Sequence, residues 1–295
     1  MSDRDEISLT AIPPISGRRR RTDQTMRGLL LTATVIALIP LVLVIYYLLY
    51  KGVGQFSSQF FTTDPNGNFL GYPGGVRSAI LGTIEMVALA SVISIPLGVA
   101  VALYLVEYGK KSLFANTVRY FVDVMTGVPS IVFGLFIYIV LVVAHVGGNF
   151  TAWKGSVALS LLMLPIVARS AEVVLNLVPG SLREAALALG APRWRVVTRV
   201  VLPTAAPGLL TGSLLAIARG AGETAPLLFT VAGAQGLTFS LSQQMNALPL
   251  QIFSDITSPR NAIVARAWGA ALTLVLMILI LNLIARAVQR RSRVA

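Results

Sequence analysis

Six long apolar runs, separated by shorter polar segments, constrain this chain more than any other feature. They cover about 27–50, 77–107, 117–145, 156–179, 205–232 and 263–288. A helix that crosses a bilayer needs about 20 mostly apolar residues. Inside lipid the backbone must satisfy its own hydrogen bonds, which favours helices over irregular chain. The runs therefore predict an all-α integral membrane protein with six transmembrane helices. Only 12% of the residues are charged and the mean hydropathy is +0.77, against about 25% charged in soluble domains. The second and third runs are long enough to tilt or to extend beyond the lipid.

Basic residues orient the runs. Most of the 24 Lys and Arg fall in one alternating set of segments, which includes Arg18–Arg21, Lys110, Lys111, Arg193, Arg195, Arg199, Arg290 and Arg291. The opposite set holds Lys51, Arg77, Lys154, Arg260 and Arg266. Lysine and arginine concentrate on the cytoplasmic side, so both termini are expected to be cytoplasmic. Segments 1–26 and 289–295 read as cytoplasmic tails, 27–50 as the first span, and 77–288 as the main transmembrane domain. The basic start before a long apolar run resembles a signal peptide, but the run is too long for one; it reads as a retained span. Prolines inside the runs (Pro40, Pro96, Pro129, Pro165, Pro226) each remove a backbone hydrogen bond and are expected to kink their helices.

The net charge of +12 does not point to nucleic acid, because the basic residues flank apolar runs with few interleaved aromatics. With no cysteine and one histidine, thiolate chemistry and a histidine-rich metal site are excluded. His145, at the end of an apolar run, reads as an interfacial polar residue. No metal site and no catalytic set of Ser, His and Asp is apparent.

One inner segment, 181–203, is too polar and too short to span. Ser181 and Glu184 have capping-box spacing, helix formers follow, Gly190 suits a left-handed helix end, and Pro192 suits the first residue of another helix. The segment predicts helix, turn, helix, with Pro203 at the approach to the next span. A helix of about two turns is not stable alone. Its small Ala185, Ala186 and Ala188 fit either an interfacial helix lying under the bundle or a docking surface for another protein.

Two spans carry charges near their middles: Arg169 with Glu172, and Arg219 with Glu223. An arginine at the bilayer centre costs about 2.5–3.5 kcal/mol on insertion scales. Spacings of three and four residues put each pair on one helix face. Each arginine is either neutralised by its own glutamate to hold helices together, or lines a pathway and contacts an anion. The guanidinium fork matches a phosphate or sulfate oxyanion. Glu85 and Asp123 read as structural charges, with Glu85 paired to Arg77 or to an arginine of another helix.

Glu184-Ala185-Ala186, Gly190 after three intervening residues, then Val200 and Leu202-Pro203 resemble the EAA loop of bacterial ABC importer permeases. "ARGAGETAPLLF" at 218–229 resembles the signature of the PstA family of phosphate-importer permeases. "LVPGSLREAALALGA" at 177–191, "GVPSIVFGLF" at 127–136, "VALYLVEY" at 101–108 and "NALPLQIF" at 246–253 extend the similarity over about 77–288. The resemblance implies a type I ABC importer permease fold with a cytoplasmic coupling helix, in a bacterial cytoplasmic membrane. It assigns Glu184, Ala185, Ala186, Gly190, Leu202 and Pro203 to coupling with an ATPase. It assigns Arg219 and Glu223, and with them Arg169, to the substrate pathway, and Glu172 is counted there as the charge that shares a helix face with Arg169. It further implies a PstC-like second permease, two PstB-like ATPases and a PstS-like phosphate-binding protein as partners. The chain has no Walker A sequence, "GKKS" at 109–112 being the nearest fragment. ATP and Mg are therefore expected on the partner ATPase, with no cofactor in this chain. Transport of another oxyanion such as sulfate or molybdate, or ATP-independent carriage, stands as the alternative function.

Overall fold

The computed structural model describes residues 17–66, 71–109 and 112–292, with side chains to residue 287. The beginning of the N-terminal tail, Lys110, Lys111 and Arg293 lie outside the described residues. The chain divides into two units, residues 1–50 and 51–295.

Among the described residues the first unit is one helix. α1 (Gly17–Gly52) has 36 residues and contains Pro40, for a length of about 54 Å at 1.5 Å per residue. That exceeds the bilayer core, so the Arg18–Arg21 end extends past the apolar stretch. The span and the second half of the predicted tail are thus one continuous helix.

The second unit contains eleven further helices among the described residues, and no strand. They are α2 (Ser58–Thr62), α3 (Arg77–Leu103), α4 (Leu113–Gly127), α5 (Ser130–Ile137), α6 (Ala152–Asn176), α7 (Gly180–Ala188), α8 (Arg193–Val196), α9 (Leu202–Ala221), α10 (Ala225–Thr230), α11 (Leu248–Ile256) and α12 (Asn261–Ser292). A π-helical turn extends α3 to Tyr108, another extends α5 to Val143, and a third joins α8 to α9.

Among the described residues, five stretches of helix are long and apolar enough to cross a membrane: Gly17–Gln55, Arg77–Tyr108, Ala152–Asn176, Arg193–Ala221 and Asn261–Ala287. A sixth arises if the pair Leu113–Gly127 and Ser130–Val143 is one broken span, since its halves are bent by 104°. Here the structure goes beyond the kink expected at Pro129 in the span over 117–145 and breaks it into two helices. Pro129 disfavours helical backbone at Val128, which is extended (ψ 130°), and Pro129 itself caps α5. The span expected over 205–232 is displaced too. It starts at Arg193, runs through Pro203, and stops at Ala221, where Gly222 and Glu223 close a turn on the carbonyls of Arg219 and Gly220. Pro226 then lies in the first turn of α10.

The core lies where α3 and α6 pack along their lengths, joined by α9. Met86, Ala90, Leu159, Met163, Val167 and Ala216 are buried there. Small residues permit the close approach. A Cβ on Gly98 would lie 2.7 Å from Val167 Cγ1, and one on Gly212 would lie 2.4 Å from Ser170 Oγ. A second cluster at the α7 end joins Val106, Leu175, Val178, Val196 and Val201.

At the opposite end, α11 seats on a small cluster of Phe60, Val76, Ala79, Leu248 and Ala270. Arg266 of α12 forms a two-pronged ion pair with Asp255 of α11, both contacts 2.7 Å and both side chains buried, and also donates to the Pro73 carbonyl. Lys154, expected in an outer loop, is instead fully buried in the first turn of α6. Its Nζ donates to the carbonyls of Gly148 and Asn149, both at 2.6 Å. His145 is exposed in the turn that precedes α6, with positive φ, and contacts Asn149 Oδ1 at 2.8 Å.

Candidate functional site

The charges expected in the spans form two groups. In the first, α4 lays its polar face on α6. Spacing of three and four residues along α4 aligns Asn116, Arg119 and Asp123, while Leu113, Phe114, Tyr120, Phe121 and Val124 face outward. Arg119 Nε donates to Glu172 Oε1 at 2.9 Å. Arg169 Nη1 donates to Glu172 Oε2 at 2.6 Å, and Arg169 Nη2 contacts Asp123 Oδ1. Glu172 is 9% exposed and lies between two arginines. The order of charges is Arg119, Glu172, Arg169, Asp123, alternating in sign and summing to zero.

The second group is Arg219 with Glu223, Nε to Oε1 at 2.7 Å. Arg219 occupies the last turn of α9 and Glu223 the break before α10. The Arg219 side chain is 59% exposed although it belongs to an apolar span. Burying a charge without compensation is costly, so this face of the spans must meet water or another polar surface.

Glu85 departs from expectation. Arg77 is taken by Asp64, with contacts of 3.1 and 2.6 Å, and Glu85 has no ion pair among the described residues. Arg119 and Asp123, by contrast, belong to the first group, which the sequence reading had limited to Arg169 and Glu172. The signal was present as an i, i+4 opposite-charge pair on an amphipathic segment, but only packing on α6 gives it meaning.

The segment 181–203 folds as helix, turn, helix, with differences. No capping box forms: Pro179 is the N-cap and α7 begins at Gly180, which puts Ser181 inside the helix. The C-terminal end follows the local chemistry. Gly190 has φ +78°, its N–H donates to Leu187 O at 2.9 Å, and Ala191 N–H donates to Ala186 O at 3.2 Å, the bond pattern of a Schellman cap. Pro192 is the N-cap of α8 rather than its first residue. Leu202 and Pro203 open α9 inside a continuous helix, not in a loop.

α7 touches the spans through two side chains. Ala186 packs inward on the cluster of Val178, Val196 and Val201, and Arg183 makes four polar contacts. Its Nε and Nη2 lie 2.9 Å from Glu107 Oε1, its Nη1 donates to Val178 O at 2.6 Å, and Nη2 donates to Leu175 O at 2.8 Å. Leu175 lies in the last turn of α6 and Val178 two residues beyond its end, where backbone acceptors run short of helical partners and cations are favoured. Arg183 thus fastens α7 to α6 and to the π-helical end of α3. Leu182, Glu184, Ala185, Leu187, Ala188 and Leu189 are left exposed on the outer side. Among the described residues no group of His, Cys, Asp and Glu could hold a metal ion.

Similarity to known proteins agrees with this arrangement. The profile of the family described as "Binding-protein-dependent transport system inner membrane component" matches residues 94–294. The chain is 40% identical over 280 residues to the phosphate transport system permease protein PstA of Mycobacterium leprae, covering 94% of this chain and 91% of that protein. It is 40% identical over 276 residues to PstA of Yersinia pestis, covering 93% and 92%. Among solved structures, the bacterial alginate ABC transporter in complex with an alginate-bound periplasmic protein shares the fold at TM-score 0.64 and 15% identity, covering 92% of this chain and 96% of that one. An inward-facing MetNI methionine ABC transporter does so at TM-score 0.57 and 21% identity, covering 74% and 94%. An all-helical chain with charged pairs set in apolar helices, similar over nine-tenths of its length to such permeases, belongs to the PstA family of multi-pass membrane permeases within the binding-protein-dependent transport systems.

Proposed function

We propose that this chain is a permease subunit of an ATP-driven importer that carries inorganic phosphate across the bacterial cytoplasmic membrane. The observation that carries the reading is a set of arginines within apolar spans of a chain 40% identical, over 94% of its length, to a phosphate transport system permease. Arg219 and Arg169 would supply the cationic path, and Glu223 and Glu172 would keep the anion from binding too tightly to leave. A guanidinium suits this task because it donates paired hydrogen bonds to an oxyanion and stays charged in a low dielectric.

The chain itself performs no covalent chemistry in this reading. ATP and Mg bind a separate pair of PstB-like ATPases, a PstC-like permease completes the pathway, and a PstS-like protein delivers phosphate to the outer face. The exposed outer side of α7 is the surface proposed to dock on the ATPase. The distribution of Lys and Arg supports a cytoplasmic side for α7 and both termini.

The test is co-purification from membranes with identification of the bound subunits, then uptake in proteoliposomes. ATP-dependent phosphate uptake that also requires the binding protein supports the reading. Sulfate or molybdate uptake in its place, or phosphate movement by the isolated chain without nucleotide, refutes it.

A further inference from the structure

We propose that Asp123 is an internal competitor for Arg169, which fills the anion position when no cargo is there and expels the cargo when it returns. The proposal rests on the reading of Arg169 as a pathway residue. It concerns α4, to which that reading assigns no role.

The charge arithmetic is the first argument. With Asp123 in place the four side chains Arg119, Glu172, Arg169 and Asp123 are neutral together, and both terminal nitrogens of Arg169 are engaged, Nη1 by Glu172 and Nη2 by Asp123. With Asp123 withdrawn, the remaining three carry +1 and Nη2 is a free donor. A vacancy of one negative charge beside half a guanidinium fork is the complement of a single oxyanion. A phosphate oxygen and the Asp123 carboxylate offer the same acceptor chemistry, so they exclude one another.

Burial distinguishes the two acids. Glu172 is 9% exposed and held by two arginines, whereas Asp123 is 51% exposed and held by one. Glu172 is therefore the fixed counter-charge and Asp123 the exchangeable one. The helix that carries Asp123 is suited to move. α4 buries only Ala115 and Val122, and five residues after Asp123 the chain turns at Val128–Pro129 into α5 with a 104° bend. A small shift of α4 with a turn of the half-exposed Asp123 side chain withdraws that carboxylate alone, while Arg119 keeps its bond to Glu172 and Arg169 stays on α6.

The experiment uses the complete importer in proteoliposomes, with uptake measured against phosphate preloaded on the release side. Asp123→Asn should assemble normally, lower maximal uptake about tenfold, and tighten inhibition by release-side phosphate about tenfold, equivalent to about 1.4 kcal/mol. Asp123→Glu, which keeps the charge, should match the wild type on both readouts. An unchanged inhibition constant in Asp123→Asn overturns the proposal. So does loss of the assembled complex in Asp123→Asn alone, which marks a packing role. Arg169→Gln separates the two levels. Normal uptake by Arg169→Gln sinks the pathway reading itself, whereas an inactive Arg169→Gln beside an unaltered Asp123→Asn sinks only the competitor.

Discussion

Replacing Arg183 by Gln tests whether α7 is mechanically joined to the spans. The substitution removes the ion pair with Glu107 and the two bonds to the carbonyls of Leu175, in the last turn of α6, and Val178, just beyond it. The Arg183 and Glu107 side chains are 17% and 12% exposed. Breaking a fully buried ion pair by deleting one partner costs about 3–5 kcal/mol, and the partial exposure here puts the loss at the lower end, about 3 kcal/mol. What remains to seat α7 is the inward contact of Ala186 and the Schellman cap at Gly190. A loss of about 3 kcal/mol changes the ratio of seated to unseated helix about a hundredfold. Hydrogen exchange of the amides of residues 181–191, measured in the assembled importer, should therefore accelerate by up to that factor. Phosphate moved per ATP should fall while the ATPase stays bound through the outer face of α7. Glu107→Gln keeps an acceptor for Arg183 and should show a smaller change in the same direction. Unchanged exchange in this segment, with normal phosphate per ATP, would refute the reasoning.

Arg219→Gln should abolish phosphate uptake with assembly retained, and normal uptake by a stably expressed variant counts against the anion role. Ala185→Arg, on the exposed side of α7, should detach the ATPase in a pull-down, whereas Ala186→Leu, on the inner side, should loosen α7 and leave the ATPase attached; the reverse pattern would invert the assignment of faces. Gly190→Ala should cost about 1–2 kcal/mol of local stability, since φ +78° is a left-handed conformation, visible as faster exchange at Leu189–Ala191. Asp255→Asn leaves the buried Arg266 without its charged partner and should lower the unfolding temperature measurably, with uptake per folded molecule preserved.

What could be read from the sequence depended on whether the determinant was local. The turn at Gly190 was legible, because a glycine after a run of helix formers carries its own geometry. The apolar runs were legible as helices for the same reason. The break at Val128–Pro129 was not, since a proline in an apolar run reads equally as a kink or as an end, and only packing decides between them. The stop at Ala221 was hidden because apolar composition continues through α10. The capping box at Ser181 failed because Pro179 restricts the backbone two residues earlier and starts the helix there. Of the charged site, the pairs Arg169–Glu172 and Arg219–Glu223 were legible from spacing within one helix. Arg119 and Asp123 join the first of these pairs across 46 or more positions of chain, and no periodicity reports that. Lys154 was misplaced for the same reason: its partners are loop carbonyls, which leave no mark in composition.

Because α8, its π turn and α9 form a single rod from Arg193 to Ala221, the foot of that rod and Arg219 cannot move independently. The distance between them along the axis is about 39 Å at 1.5 Å per residue. A tilt of about 5° about the middle of such a lever would sweep Arg219 through an arc of about 2 Å, enough to make or break a hydrogen bond. Very small motions at the foot of the rod would thereby be legible, at atomic scale, to a guanidinium at its other end.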